Sequence, residues 1–298
     1  MNKRLLAILA AISASTIYGI NHTVAKDVMP IYVKPFGFIL LRVVGAAILF
    51  WSLSLLKTSQ RIEKEDWPRL IACAICGMVI NMLFFFKGLS LSTPINSSVI
   101  ITLSPVMVLI LGAIILKERI TLLKMLGVIV ALTGALGLVF FSSSSSSNAS
   151  NIPLGNILFV VNAFSFALYL ILVKPLTAKY DAITLMKWLF LIATIINLPI
   201  TIGEFNEILW QEIPSSVLCQ IAFVVVGTTF MTYLFNIYAI KQLSASTLSV
   251  FMYLQPLVAI IYATSVGADQ LNLVKITAGL FVFTGVYLVT KKKTLTTN

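Results

Sequence analysis

An all-α membrane protein of ten transmembrane helices, arranged as two inverted five-helix repeats, is the fold class this sequence predicts. Three observations predict it. The 298 residues are 59% hydrophobic and only 10% charged, with a mean hydropathy of +1.02. A soluble chain carries about 25% charged residues, so this one lacks the polar surface needed to face water. Ten segments are mainly apolar and close to 20 residues long, the length a helix needs to cross the hydrocarbon core. Finally, the chain repeats itself: residues 88–141 align without a gap on residues 239–292, 151 positions further on.

The predicted spans, in order, are 5–25, 35–56, 69–89, 93–116, 122–141, 153–173, 184–204, 215–240, 243–266 and 273–290. Their apolar runs are continuous rather than alternating, which favours helices over barrel strands. The first span follows Lys3-Arg4 and resembles a signal peptide, but its apolar stretch runs on, so it reads as a retained span. The repeat covers the later spans of each half. It places Ser98-Val99 on Ser249-Val250, Leu103 on Leu254 and Pro105 on Pro256. It also places Leu122 on Leu273, Lys124 on Lys275 and Thr133-Gly134 on Thr284-Gly285, with Glu118 falling on Asp269.

The halves are residues 1–141 and 153–298, joined by a serine-rich outer linker, 142–152. The Asn148-Ala149-Ser150 triplet within it fits a glycosylation acceptor, but a plain flexible spacer explains the composition. Five spans per half is an odd number, so the second half is inverted relative to the first. With the N-terminus inside, 16 lysines and arginines fall on the inner side and 4 on the outer side, with Arg42 inside a span. That asymmetry puts both termini in the cytoplasm. Trp51, Trp67 and Trp188 fall near inner interfaces, where indole prefers to sit.

The same distribution accounts for the net charge of +11 without nucleic acid: the basic residues face anionic lipid. One histidine and three cysteines are too few for a disulfide framework or a conventional zinc cluster, and no cofactor is expected. The Cys73–Cys76 pair lies inside span three and reads as small apolar packing.

An internally duplicated membrane protein points to a transporter, whose halves rock about a site at mid-bilayer. Pro105 and Pro256 interrupt equivalent spans, four and nine, each removing a donor and crowding the carbonyl four residues earlier, at Ile101 and Met252. They are the candidate hinges. Polar and aromatic residues recur at helical spacing on four spans: Tyr18, Asn21, His22 and Ala25; Asn81, Phe84, Phe85 and Gly88; Asn162, Ser165, Phe166 and Tyr169; Thr229, Thr232, Tyr233 and Asn236. Amides and phenols are costly against lipid and should face the interior, as a wet cavity or as interhelical hydrogen bonds. The candidate substrate-binding set is Tyr18, Asn21, His22, Asn81, Phe85, Asn162, Tyr169, Tyr233, Asn236 and Gln255. His22 reads either as a proton or substrate ligand or as a buried imidazole. No Asp or Glu lies inside a span, which argues against proton coupling through a carboxylate. Arg42 and Lys187 read as a pair of gates or as interface anchors. Gly127, Gly134, Gly137, Gly279 and Gly285 let spans five and ten approach other helices closely.

Several of these motifs resemble those of a known family. Tyr18-Gly19-Ile20-Asn21 and Lys26 mark span one. Pro105, then Glu118-Arg119, then Gly127 follow in spans four and five, with Pro256, Gly279 and Thr284-Gly285 in the second copy. Across essentially the whole chain the pattern is similar to the EamA-type branch of the drug/metabolite transporter superfamily, with Asp269 where that family more usually has glutamate. The resemblance implies ten helices, inverted repeats and export of small metabolites such as amino acids. The resulting expectation is a secondary transporter of small organic metabolites in the inner membrane, working by alternating access as a monomer or homodimer. The rivals are a membrane-embedded lipid-modifying enzyme and a channel. The first would need a nucleophile–base pair, a metal cluster or convergent carboxylates, and no catalytic or metal-ligating set is visible.

Overall fold

The computed structural model describes residues 3–56, 60–115, 121–141, 149–242, 251 and 254–290. Among them every regular element is helical. Eight runs are long and apolar enough to cross a membrane, and Leu254–Ser265 and Leu273–Leu288 are shorter apolar helices. The eight fall on the first eight predicted spans and the two shorter ones on the ninth and tenth. Glu118, Arg119, Ser249, Val250, Met252 and most of the linker lie outside the described residues.

The first half comprises α1 (Lys3–Val28), α2 (Pro35–Leu55), α3 (Trp67–Ala74), α4 (Asn81–Leu91), α5 (Pro94–Ile101), α6 (Ser104–Ile115) and α7 (Leu122–Phe141). The second comprises α8 (Ile152–Lys179), α9 (Ala182–Asn206), α10 (Ser215–Ala222), α11 (Thr232–Gln242), α12 (Leu254–Ser265) and α13 (Leu273–Thr290). Helix starts follow local chemistry. Proline occupies the first turn of α2, α3, α5 and α8, where its missing N–H costs nothing. Thr93, Asn151 and Asp181 cap α5, α8 and α9 through side-chain oxygens. Helix α8 continues through Pro175 to Lys179, past the predicted end at 173.

Among the described residues three spans are not continuous α-helix. Between α3 and α4 lies a π-helical segment, Ile75–Ile80, and between α10 and α11 another, Phe223–Met231. The fourth span breaks at Thr102-Leu103, so Pro105 is the second residue of α6. The carbonyl of Ile101, which loses its usual donor to the proline ring, instead accepts the Ser104 hydroxyl at 2.7 Å. The break is thus locally satisfied.

The most extensive packing joins α7 to α13 and α2 to α9; α4 packs on α8, and α1 on both α11 and α12. Small residues set these distances. A Cβ on Gly134 would lie 2.6 Å from Ala278 O, and one on Gly285 would lie 2.5 Å from Gly127 O, so α7 and α13 run antiparallel with backbones nearly touching. Gly37 meets Glu204 and Phe50 stacks on Phe190 at 5.5 Å, which makes α2 and α9 antiparallel as well. Large apolar side chains point outward all round, among them Ile48, Phe140, Phe141, Ile195 and Leu273. Such a surface fits hydrocarbon and not water.

Candidate functional site

Helix α1 brings Tyr18, Asn21 and His22 onto one inward stripe, and two groups of side chains gather on it. The first surrounds Tyr18. Its hydroxyl bonds the Thr232 side chain, and it lies within electrostatic range of Arg42, Tyr169 and Tyr233. Thr232 donates its own proton to Thr228 O. Arg42 Nε donates to Thr229 Oγ1 at 2.8 Å, and its guanidinium lies 5.0 Å from the Phe86 ring centroid. Thr229 in turn donates to Val224 O, five residues back, which ties the Arg42 partner into the π-helical turn. Tyr18 and Tyr233 are both half-buried.

The second group lies one turn further along α1. His22 Nδ1 is 2.7 Å from Ser97 Oγ, and the ring meets Phe85 edge-on at 5.6 Å. Ser97 spends its proton on Pro94 O at 2.8 Å, so His22 carries its hydrogen on Nδ1 and donates. Asn21 Oδ1 is enclosed with no partner among the described residues.

Other predicted residues are placed apart from these groups or used structurally. Asn81 and Asn162 bond each other's main chain reciprocally, at 3.3 and 2.7 Å, joining α4 to α8. Gln255 contributes its carbonyl to the close approach of α12 on Gly19. Asn236 is half-buried on α11, Pro256 is buried on α12 and Pro105 is half-buried on α6. Lys187 rests over Trp51, with its ammonium 4.7 Å from the ring, and Trp51 and Trp67 both pack on Trp188. This aromatic cluster explains the burial of Lys187. Cys73 and Cys76 are free thiols. Among the described residues no group of three or more His, Cys, Asp or Glu is placed to hold a metal.

Three polar seams escaped the sequence reading. Asn156, wholly buried, accepts from Ser92 Oγ and Asn96 Nδ2 and donates to Leu138 O, tying α8 to α5 and α7. An amide inside an apolar segment was the available signal. At one end of the bundle Lys179 pairs with Glu63 and Asp66, and Tyr180 donates to Asp66 at 2.7 Å. At the other end Lys34 pairs with Glu207, and the bond holds its ammonium above the ordinary lysine value, while Glu204 accepts from Phe36 N. A separate hollow of about 600 Å³ opens sideways between α2, α9 and α10. Leu41, Val44, Ile202, Ile221 and Val225 are in its wholly apolar lining, so it offers no donor to a polar ligand.

A lipid-compatible helical bundle that buries an arginine, phenols and amides at its centre has the build of a multi-pass membrane transporter. The chain belongs to the EamA-like transporter family, which it matches over residues 5–140 and again over 153–291. It is 30% identical over 278 residues to an uncharacterized transporter of Archaeoglobus fulgidus, covering 93% of this chain and 96% of the relative. It is 26% identical over 229 residues to the uncharacterized transporter YyaM of Bacillus subtilis, covering 75% of each. A solved structure described only as a protein crystal structure shares the fold, with a TM-score of 0.60 at 16% identity over 96% of each chain. The protein is therefore a transporter and not an enzyme.

Proposed function

We propose that this transporter moves small organic metabolites, amino acids or related compounds, out across the inner membrane by alternating access. Ten spans form two inverted five-helix repeats, with both termini cytoplasmic. The observation that carries the reading is the reciprocity of the packing. The 151-residue offset sends Gly134 to Gly285 and Gly127 to Ala278, and these four residues make the two matching contacts between α7 and α13. The other helix pairs behave alike: α4 on α8 becomes α11 on α1, and α5–α6 on α8 becomes α12 on α1. Equivalent helices running antiparallel is what an in-plane two-fold axis requires.

The discontinuities support movement about that axis. The offset carries 75–80 onto 226–231, which lies inside the second π-helical segment. Interrupted helices at matching places in two halves mark transporter centres. The two end latches also correspond. One joins the link after α2 to the end of α8, the other the link after α9 to the link after α1. The Lys34–Glu207 and Lys179–Glu63 pairs are exposed and individually weak, as a gate that opens in turn requires. The polar-aromatic set on α1, α4, α8 and α11 forms the substrate site, and the protein works as a monomer or homodimer without nucleic acid.

The test is uptake into liposomes holding purified protein, using labelled amino acids, nucleosides and vitamins, with and without a pH gradient. Saturable uptake of one class is expected, falling by about tenfold or more in Asn21→Ala and Tyr169→Ala, since a lost buried polar contact costs roughly 1–3 kcal/mol. Folded protein that transports nothing, or uptake untouched by either change, would overturn the reading. Conductance at single-channel rates would make it a pore.

A further inference from the structure

Arg42 is buried inside the bundle, and among the described residues no acid pairs with it. The ion pairs among the described residues are Lys34–Glu207, Lys179 with Glu63 and with Asp66, and Lys275–Asp269. None involves Arg42. A guanidinium has five N–H donors, and here one, on Nε, is bonded, to Thr229. The Arg42 Nη atoms make no hydrogen bond to a described residue. The same holds for the Tyr233 hydroxyl.

Snorkelling does not explain this placement. Arg42 lies seven residues into α2, about 10 Å from its start. Its partner Thr229 lies fourteen residues beyond Ser215, roughly 20 Å along its own span. The side chain therefore reaches inward, toward Tyr18 and Tyr233, and not back to the interface. A lone charge in such a place is costly, and transmembrane arginines usually find a carboxylate or a run of carbonyls.

The chemistry that completes the site is an anion. The planar fork matches a carboxylate in bidentate fashion, and the Tyr233 hydroxyl, within electrostatic range of Arg42, is a neutral donor on the same side of the bundle interior. One guanidinium balances one negative charge, which favours a carboxylate over a doubly charged phosphate monoester. Resting on the central-site reading above, we infer that the substrate is a small organic acid or amino acid held through its carboxylate by Arg42 and Tyr233. The acid missing from the bundle arrives with each substrate.

The test compares compounds that differ only at that group: leucine against leucinamide, and phenylalanine against phenylalaninamide. Thermal melts of purified wild type, Arg42→Gln and Arg42→Lys read binding, and liposome uptake of the labelled acids reads transport. The acids should raise the wild-type melting temperature and the amides should not. Arg42→Gln should lose about 30- to 100-fold in affinity for the acids, and Arg42→Lys, which keeps the charge but not the fork, about tenfold. Without ligand, Arg42→Gln loses the Thr229 bond and the Phe86 ring contact but strands no carboxylate, so it should still fold and melt cooperatively. Failure of both Arg42→Gln and Arg42→Lys to fold would give Arg42 a structural role and overturn the proposal. So would equal shifts from acid and amide, or acid binding unchanged in either variant. Acid binding without uptake upholds the carboxylate site and sinks the transport reading. Uptake of acid and amide alike, untouched by Arg42→Gln, does the reverse.

Discussion

Asp269→Ala is expected to destabilise the protein by about 3–5 kcal/mol, the cost of leaving a buried charge without its partner. Asp269 and Lys275 form the most enclosed ion pair described, with side chains 2% and 1% exposed. Each carboxylate oxygen is used. Oδ1 accepts from Lys275 Nζ and Gln270 N, and Oδ2 accepts from Ile95 N in the first turn of α5. A second buried ammonium, that of Lys26, is within electrostatic range while donating to Leu89 O and Ser90 O at the end of α4. One acid thus holds the start of α13, the start of α5 and, at longer range, the end of α1. Its loss strands Lys275 and leaves two buried ammoniums repelling each other. Thermal melts of purified protein check this. Asp269→Ala should melt well below wild type, and Asp269→Ala/Lys275→Leu should recover part of the loss. If the single variant melts like wild type, the pair is solvated and holds nothing.

This pair shows where the sequence was informative and where it was not. The offset aligned Glu118 with Asp269 and Lys124 with Lys275, so both charges were in view. That they bond each other across the turn into α13 needs the turn itself, which hydropathy does not describe. The spans were legible because a bilayer demands about 20 apolar residues in a row, whatever they pack against. The glycines of spans five and ten were legible for a similar reason: close approach admits few residue types, and Gly134 and Gly285 do lie against backbone. Gly137 does not, its nearest contact for a Cβ being 3.9 Å. Pattern alone cannot rank glycines on one helix.

The candidate site was legible as a stripe and not as a network. Helical spacing put Tyr18, Asn21 and His22 on one face, and the fold keeps them there. It could not say that Asn81 and Asn162 are spent on each other's main chain, nor that Arg42 meets Thr229, 187 residues away. The π-helical segments left no mark in composition, since one extra residue per turn is a matter of backbone accommodation.

The other large effect is expected at Gly285. A Cβ there would collide with Ala131 N and lie 2.5 Å from Gly127 O and 2.7 Å from Ala131 Cα. All three are main-chain atoms, so no side chain can turn aside and α13 must move off α7. Gly285→Ala should cost about 1–3 kcal/mol, the usual penalty for overpacking, and Gly285→Leu more. Gly137→Ala, on the same interface but unobstructed, should stay within about 0.5 kcal/mol of wild type. The two-fold reading adds a sharper demand. Gly134 meets Ala278 as Gly285 meets Gly127, so Gly134→Ala should cost about as much as Gly285→Ala. The double variant should cost less than the sum, because one separation of the helices relieves both clashes. Melting temperatures of the four proteins decide it. Additive or plainly unequal losses would mean that the two contacts are independent accidents of packing, and the axis relating the halves would lose its best support.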